Sequence, residues 1–324
     1  MLRPLLTCLP GLLLLAGWLS PGPLAAAGID TTYTAEKFNL ALIAHPARLL
    51  SMPQFAFPQA KSLLDSMQQD SGVDPRSVTE LQVFVATRSV ISNGNSAPPT
   101  MGVVVRSARP LDQAAILERG FADATRVDDG QFVIHAAADD EEPSVAFPDG
   151  QTMVVSDRQT LHAMLSKRAQ PSPLQQRLEA LNSDDLISFV VVMDTATRDG
   201  LNAFAGALPQ QAPFDSLARV PDLLEAIQLT VSGKDLGVNV KLKGRDRAAA
   251  GELEKITAMG LEIARGGIEA QLEALADAPE NVRIGMEPPL RIAESLLSAA
   301  KPELTDRSEV ALDLSGTDVQ KQMG

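Results

Sequence analysis

Three histidines and one run of acids are the side chains whose types could do chemistry in this chain. His45, His135 and His162 are its only imidazoles. An imidazole can shuttle a proton near neutral pH or ligate a metal ion. None of the three stands i, i+4 from another, the spacing that puts two ligands on one helix face. His135 and His162 are the pair that the order of elements could bring together in space. Without such a meeting, each reads as an ordinary surface or half-buried histidine. The densest charge cluster is Asp139-Asp140-Glu141-Glu142. Carboxylates suit a hard cation such as calcium, but the run lacks the alternating spacing and central glycine of a calcium loop. It reads as a solvated connection. His135, His162, Asp139, Asp140, Glu141 and Glu142 are therefore only weak metal candidates, and no catalytic or cofactor-binding residue and no cofactor is predicted.

Larger signatures are missing. The chain has no Gly-x-Ser-x-Gly elbow, no Gly-x-Gly-x-x-Gly, no Walker phosphate loop and no His-Glu-x-x-His helix. Gly266-Gly267 falls inside a helical pattern, where it cannot cradle a phosphate as a strand-to-helix loop does; it predicts a kink or break. Tyr33, the only tyrosine, sits in the polar arm Asp30 to Thr34 and reads as a packing anchor. The net charge is −13 and aromatic residues make up 4%. Nucleic-acid binders present a basic face to phosphate, so that role is not predicted. The one basic group, Lys241, Lys243, Arg245 and Arg247, alternates along a strand end and reads as a solvated edge.

What positions these residues begins with the N-terminus. Arg3 precedes an apolar run from Leu5 to Leu19, broken by Pro21 and Pro23 and followed by Leu24-Ala25-Ala26-Ala27. A positive start, a short apolar core and a small-residue exit predict a secretory signal peptide over 1–27, cut near Ala27. The run is short and proline-broken for a retained anchor. The only cysteine, Cys8, and the only tryptophan, Trp18, leave with it, so thiol and cysteine-metal chemistry are excluded from the body. The signal predicts an extracytoplasmic protein, periplasmic or secreted, and no later stretch is long and apolar enough to span a bilayer, so no stable membrane span is expected after its removal.

Periodicity then predicts two α+β domains: a first over 28–169, a linker over 170–183 containing Pro171-Ser172-Pro173, and a second over 184–324 ending in a helix and a strand. Strands are expected around 38–44, 81–85, 101–105, 132–134 and 153–155, and helices over 59–70, 110–119 and 158–167. The second half starts with the apolar strand Leu186 to Met193. Strands near 229–231 and 236–242, a long helix over 247–276, a strand near Val282, a helix over 290–300 and a strand over 310–314 follow. Both halves repeat strand, helix, strand, loop, strand, helix. The fold class is thus α+β, with two related β-α-β-β-α domains (ferredoxin-like or similar), antiparallel-rich sheets and helices on one face.

Several short segments carry a resemblance: Leu42-Ile43-Ala44-His45-Pro46, Gly72-Val73-Asp74-Pro75, Gly102 to Arg106, Ser156 to Leu161, and Ala249-Ala250-Gly251-Glu252-Leu253. In these the chain resembles a group of uncharacterised secreted proteins of planctomycete-type bacteria. That resemblance implies export and a duplicated α+β body, and it carries over no catalytic residue. The reading that fits best is an exported, non-enzymatic scaffold or interaction protein with a protein or small-ligand partner. The alternatives are an extracytoplasmic hydrolase with an acid/His site and a carrier of a lipid-like small ligand.

Overall fold

In the computed structural model the described residues are 29–52, 58–87, 99–128, 130–139, 142–166, 171–206, 214–233, 237–276, 278–305 and 308–314. The expected signal peptide, most of the hairpin loop near 92–99, and Asp140 and Glu141 lie outside them. The chain divides into two compact units, Met1–Ala196 and Thr197–Gly324.

In the first unit, β1 (Leu40–Ala44) is followed by α1 (Pro46–Leu50), α2 (Pro58–Ser71) and β2 (Val78–Ala86). Then come β3 (Thr100–Ser107), α3 (Gln113–Gly120), β4 (Thr125–Asp128), β5 (Val133–Ala136), β6 (Pro143–Ala146) and β7 (Thr152–Asp157). The unit closes with α4 (Arg158–Leu165), α5 (Pro173–Glu179) and β8 (Asp185–Val192). Its strands lie in the order β8-β1-β2-β3-β7-β6-β5-β4, and every pairing is antiparallel, with Ala41 opposite both Phe84 and Val190.

Local chemistry sets the boundaries. Gly72 takes φ +77 directly after α2, the left-handed conformation expected of a glycine C-cap. Asp112 and Asp157 each accept a backbone N–H three residues on, at Ala115 and Thr160, as N-caps do.

The structure is α+β with an antiparallel sheet, as the periodicity implies. Finer expectations need correction. In a split βαβ unit of ferredoxin-like type, strands joined through a helix run parallel. Here β1 and β2, joined through α1 and α2, lie side by side and antiparallel. Helices also cover both faces of this sheet. Phe84, Val104 and Val154 pack with Leu161 and Met164 of α4 and with Leu174 and Leu178 of α5. Val105, Val145 and Val155 point the other way, onto Ile116 and Leu117 of α3. Adjacent strand residues face opposite sides, so an unbroken apolar run such as Met153-Val154-Val155 requires cover on both. Two short strands, β4 and β6, escaped sequence detection. The stretch read as a linker contains α5, with Ser172 accepting the Gln175 N–H as its N-cap. Leu186 to Val192, read as opening the second half, pairs with β1.

In the second unit, α6 (Thr195–Gly206), α7 (Phe214–Leu217) and α8 (Val220–Leu223) lead to β9 (Leu224–Ser232) and β10 (Val238–Gly244). Next are α9 (Arg247–Ala276), α10 (Glu280–Ala299), β11 (Pro302–Leu304) and β12 (Glu309–Leu314). The strands run β11-β12-β10-β9, all antiparallel. Helix α9 continues unbroken through Gly266-Gly267, and the strand expected near Val282 is part of α10. Packing of the amphipathic pair overrides the glycine penalty and the local β-branched signal.

Candidate functional site

The histidines sit in three separate surroundings. His45 leaves β1 buried, its Nδ1 3.0 Å from the Thr79 carbonyl oxygen and its N–H donating to the Leu186 carbonyl. Burial lowers its pKa, Arg48 adds to that, and the Thr79 carbonyl and Glu80 oppose it. His135 on β5 is half-buried, edge-on to Phe147 at 6.2 Å and opposite Arg126 in register. Burial first, then Arg126, lowers its pKa. His162 lies within α4 and is half-buried. In the acidic run, the Glu142 N–H donates to the Asp139 carbonyl at 3.1 Å. Among the described residues no three His, Cys, Asp or Glu side chains converge as metal ligands would.

One arrangement with the look of catalysis was not legible in the sequence. Lys37 Nζ donates to Thr160 Oγ1 at 2.5 Å, and that hydroxyl donates to Asp157 Oδ2 at 2.5 Å. A hydroxyl between a lysine and a carboxylate is how a nucleophile is activated. Here Thr160 is fully buried at the N-terminus of α4, and Asp157 also accepts its N–H at 2.9 Å. The trio is a helix cap tied to residue 37, with the hydroxyl itself buried.

Lys37 belongs to a strap, residues 29–38, laid over the sheet of the first unit. Ile29, Ala35 and Phe38 are buried in the core, Phe38 stacked on Phe84 at 5.3 Å. Fully buried Gln82 donates to the Asp30 carbonyl and to Glu80 Oε1, both at 2.8 Å. Arg106 donates from Nε to Glu80 Oε1 at 3.0 Å, and its Nη2 lies 2.9 Å from Asp30 Oδ2 as an ion pair without hydrogen-bond alignment. The same guanidinium sits 5.3 Å over the Tyr33 ring, a cation–π contact. Burial pushes the Asp30 carboxyl up, but hydrogen bonds from Thr32 and the Arg106 charge hold it below its ordinary value. Burial raises the Tyr33 phenol against the pull of Arg106. The sequence signal for the strap was Tyr33, read as a packing anchor in a polar arm, and it meets Arg106 here.

The second unit differs. The first half of α9 packs on its sheet through Ala249, Ala250, Leu253, Ile256 and Leu261. A Cβ on Gly244 would stand 2.6 Å from the Ala250 nitrogen, so only glycine lets helix and strand approach this closely. Beyond Leu261 the helix continues to Ala276 with Leu275 alone buried. Ile263 is 39% exposed there, and Met286 on α10 is 50% exposed. Ile268 and Leu272 are half-buried. Arg265 anchors the pair: its Nε donates to the Leu297 carbonyl at 2.8 Å and its Nη2 to the Ala300 carbonyl at 2.7 Å. It thereby satisfies carbonyls left over at a helix C-terminus.

The basic group also needs correction. Strand β10 is flanked by β9 and β12, so Lys241 and Lys243 stand on an interior strand. Lys241 faces Gln228 and Ala311, and Lys243 faces Ala226 and Glu309. They belong to a polar sheet face, because alternation turns Val240 inward and the lysines outward.

No family model matches the chain, and no curated protein does. Solved structures of TP0453, a Treponema protein, match at low identity. Crystal form I is 10% identical, covering 90% of this chain and 94% of that one, with a TM-score of 0.40. Form III is 10% identical over 89% and 94%, and form IV 9% identical over 92% and 97%, each with a TM-score of 0.42. A likeness this distant bears on no residue role.

Proposed function

We propose that this is an exported, non-enzymatic interaction protein. The first unit serves as the rigid body, and the distal half of the α9–α10 pair meets a protein partner. The observation that carries the reading is the mismatch along α9. Its packing on the sheet ends near Leu261, yet the helix continues about 15 residues further, roughly 22 Å at 1.5 Å per residue, with Ile263 and Met286 left exposed. Apolar residues presented from helices are a common form of protein recognition. Against catalysis stands the burial of Thr160, the best-placed hydroxyl among the described residues.

The reading includes export with removal of residues 1–27, membership of the planctomycete-type secreted group, and descent by duplication. The duplication is supported by a shared order. In each unit helices precede an antiparallel hairpin (β2–β3, β9–β10), and a helix follows it. The repeat is an antiparallel relative of the β-α-β-β-α plan and not the split βαβ form.

The test is affinity capture with the processed chain, followed by reconstitution with the purified partner. Ile263→Asp with Met286→Asp should weaken binding tenfold or more, about 1.4 kcal/mol, while leaving the melting curve in place. Turnover of ester, peptide or glycoside substrates, lost on changing one polar side chain, would contradict the reading. Retention of a lipid in place of any protein, lost with the same double substitution, would move it to a carrier.

A further inference from the structure

We infer that the free edge of β4 is a self-complementary seam at which two copies of this chain join their first-unit sheets, with Arg126 of each copy set against Asp128 of the other. Strand β4 pairs with β5 on one side and is the last strand of the sheet on the other. Alternate N–H and C=O groups along such an edge have no ladder partner and can pair with another strand. Sheets blunt their edges with proline, lysine or a covering segment. The second unit does so. Its edge strand β11 starts at Pro302, which has no N–H, and the Leu304 N–H donates to Glu254 Oε1 at 3.3 Å. The sequence of β4, Thr125-Arg126-Val127-Asp128, holds neither proline nor lysine, and Thr125, Arg126 and Asp128 are exposed.

The charges select the partner and its register. Among the described residues Arg126 donates no hydrogen bond and forms no ion pair, and in register it stands opposite His135. Asp128 Oδ1 accepts the Gly130 N–H at 3.0 Å, which holds the carboxylate in place. Val127 between them packs against the core, so Arg126 and Asp128 share the opposite face of the sheet. Two copies of one strand that pair antiparallel about a two-fold axis set residue i against j and j against i. Centred on Arg126, the seam opposes two arginines; centred on Asp128, two aspartates. Centred on Val127, it opposes Arg126 to Asp128 of the second copy, twice. Opposite charges directly across a pair of strands stabilise it, and like charges destabilise it. A second copy is therefore the occupant that this strand specifies. A seam of 4 residues a side is small for an interface, so the association is weak and reversible.

The experiment is sedimentation over a range of concentrations, on the chain purified from cells that make it. Wild-type chain should dimerise with a midpoint on the order of 10–100 μM. Arg126→Asp and Asp128→Arg should each weaken the dimer at least tenfold, because each turns both attractive pairs into repulsive ones. Mixed in equal amounts, the two variants should associate with each other about as tightly as wild type does with itself. The exchanged double variant, Arg126→Asp with Asp128→Arg, should regain the wild-type midpoint. Asp128→Arg also removes the hydrogen bond to Gly130, so the mixture and the double variant decide the matter and not the single loss. Wild-type chain that stays monomeric up to about 1 mM would overturn the inference, as would a dimer that both single variants leave intact. Single losses that neither mixing nor exchange repairs would overturn it equally.

Discussion

Strand β7 in the first unit and strand β10 in the second are similar in length and differ in how they are covered. In β7 the five residues Thr152 to Ser156 are all buried, whereas in β10 only Gly244 is. The first sheet carries α4, α5 and the strap on one face and α3 on the other. The second packs Val240, Leu312 and Leu314 against Leu261 and Leu297. Its opposite face bears Gln228, Asn239, Lys241, Lys243, Glu309 and Asp313 in register, with buried Ala226 and Thr230 among them on β9. The contrast is written in the strands themselves: Met153-Val154-Val155 is continuous, while Val238-Asn239-Val240-Lys241-Leu242-Lys243 alternates. Two-sided cover makes a body; one-sided cover leaves a unit whose helices are held on one flank and available on the other.

The largest expected effect lies in the body. Phe84→Ala removes a fully buried ring stacked on Phe38 and should cost about 3–5 kcal/mol, read as a lowered midpoint in denaturant unfolding. A smaller loss would mean that the strap does not seal the core. Gly244→Ala tests the second unit. Its Cβ meets the Ala250 backbone, which cannot rotate away, so a cost of about 1–3 kcal/mol is expected, confined to the transition of the second unit. Arg265→Ala removes two bonds to carbonyls and should cost about 1–3 kcal/mol. Faster amide exchange should then appear in α10 and not in β2 or β3.

The pH response is smaller and belongs to the body. His45 titrates near 6.5 when unfolded and below that when folded, because burial disfavours its charge. The unfolded state therefore takes up the proton first. Stability is full above about pH 6.5 and falls as the pH drops toward the lowered folded value. His45→Gln should flatten the slope of the unfolding free energy between pH 7 and 5. Asp30, held below 3.8, acts lower down, its contribution being lost as the pH falls through its folded value. The smallest effect is that of Ile263→Asp on stability, expected within about 0.5 kcal/mol as for other exposed sites. A larger loss would show that Ile263 is part of the second unit's core.

Legibility followed the same divide. Regular periodicity disclosed most strands and the long helix, and Gly72 announced the end of α2. The four-residue strands β4 and β6 are too short to show alternation, and each depends on its neighbour's pairing. Val282 looked like a strand because β-branched character is local, while α10 is fixed by packing on α9. At the candidate sites, the histidines and the described acids Asp139 and Glu142 were findable by type, but their separation in space was not. The strap was hidden because its partners Gln82, Arg106, Thr160, Gln175 and Glu179 lie 52 to 148 residues away from it. Nor could the exposure of Ile263 be read from the sequence, since its spacing matches that of the buried residues preceding it.

The most direct test places a photo-crosslinking amino acid at three apolar positions of comparable exposure. These are Ile263 and Met286 in the second unit and, as the reference, Leu63 on α2 of the first unit, which is 54% exposed. In cells that make the chain, Ile263 and Met286 should give an adduct with the same protein and Leu63 none. An adduct at Leu63 with nothing at the two helix positions would contradict the account.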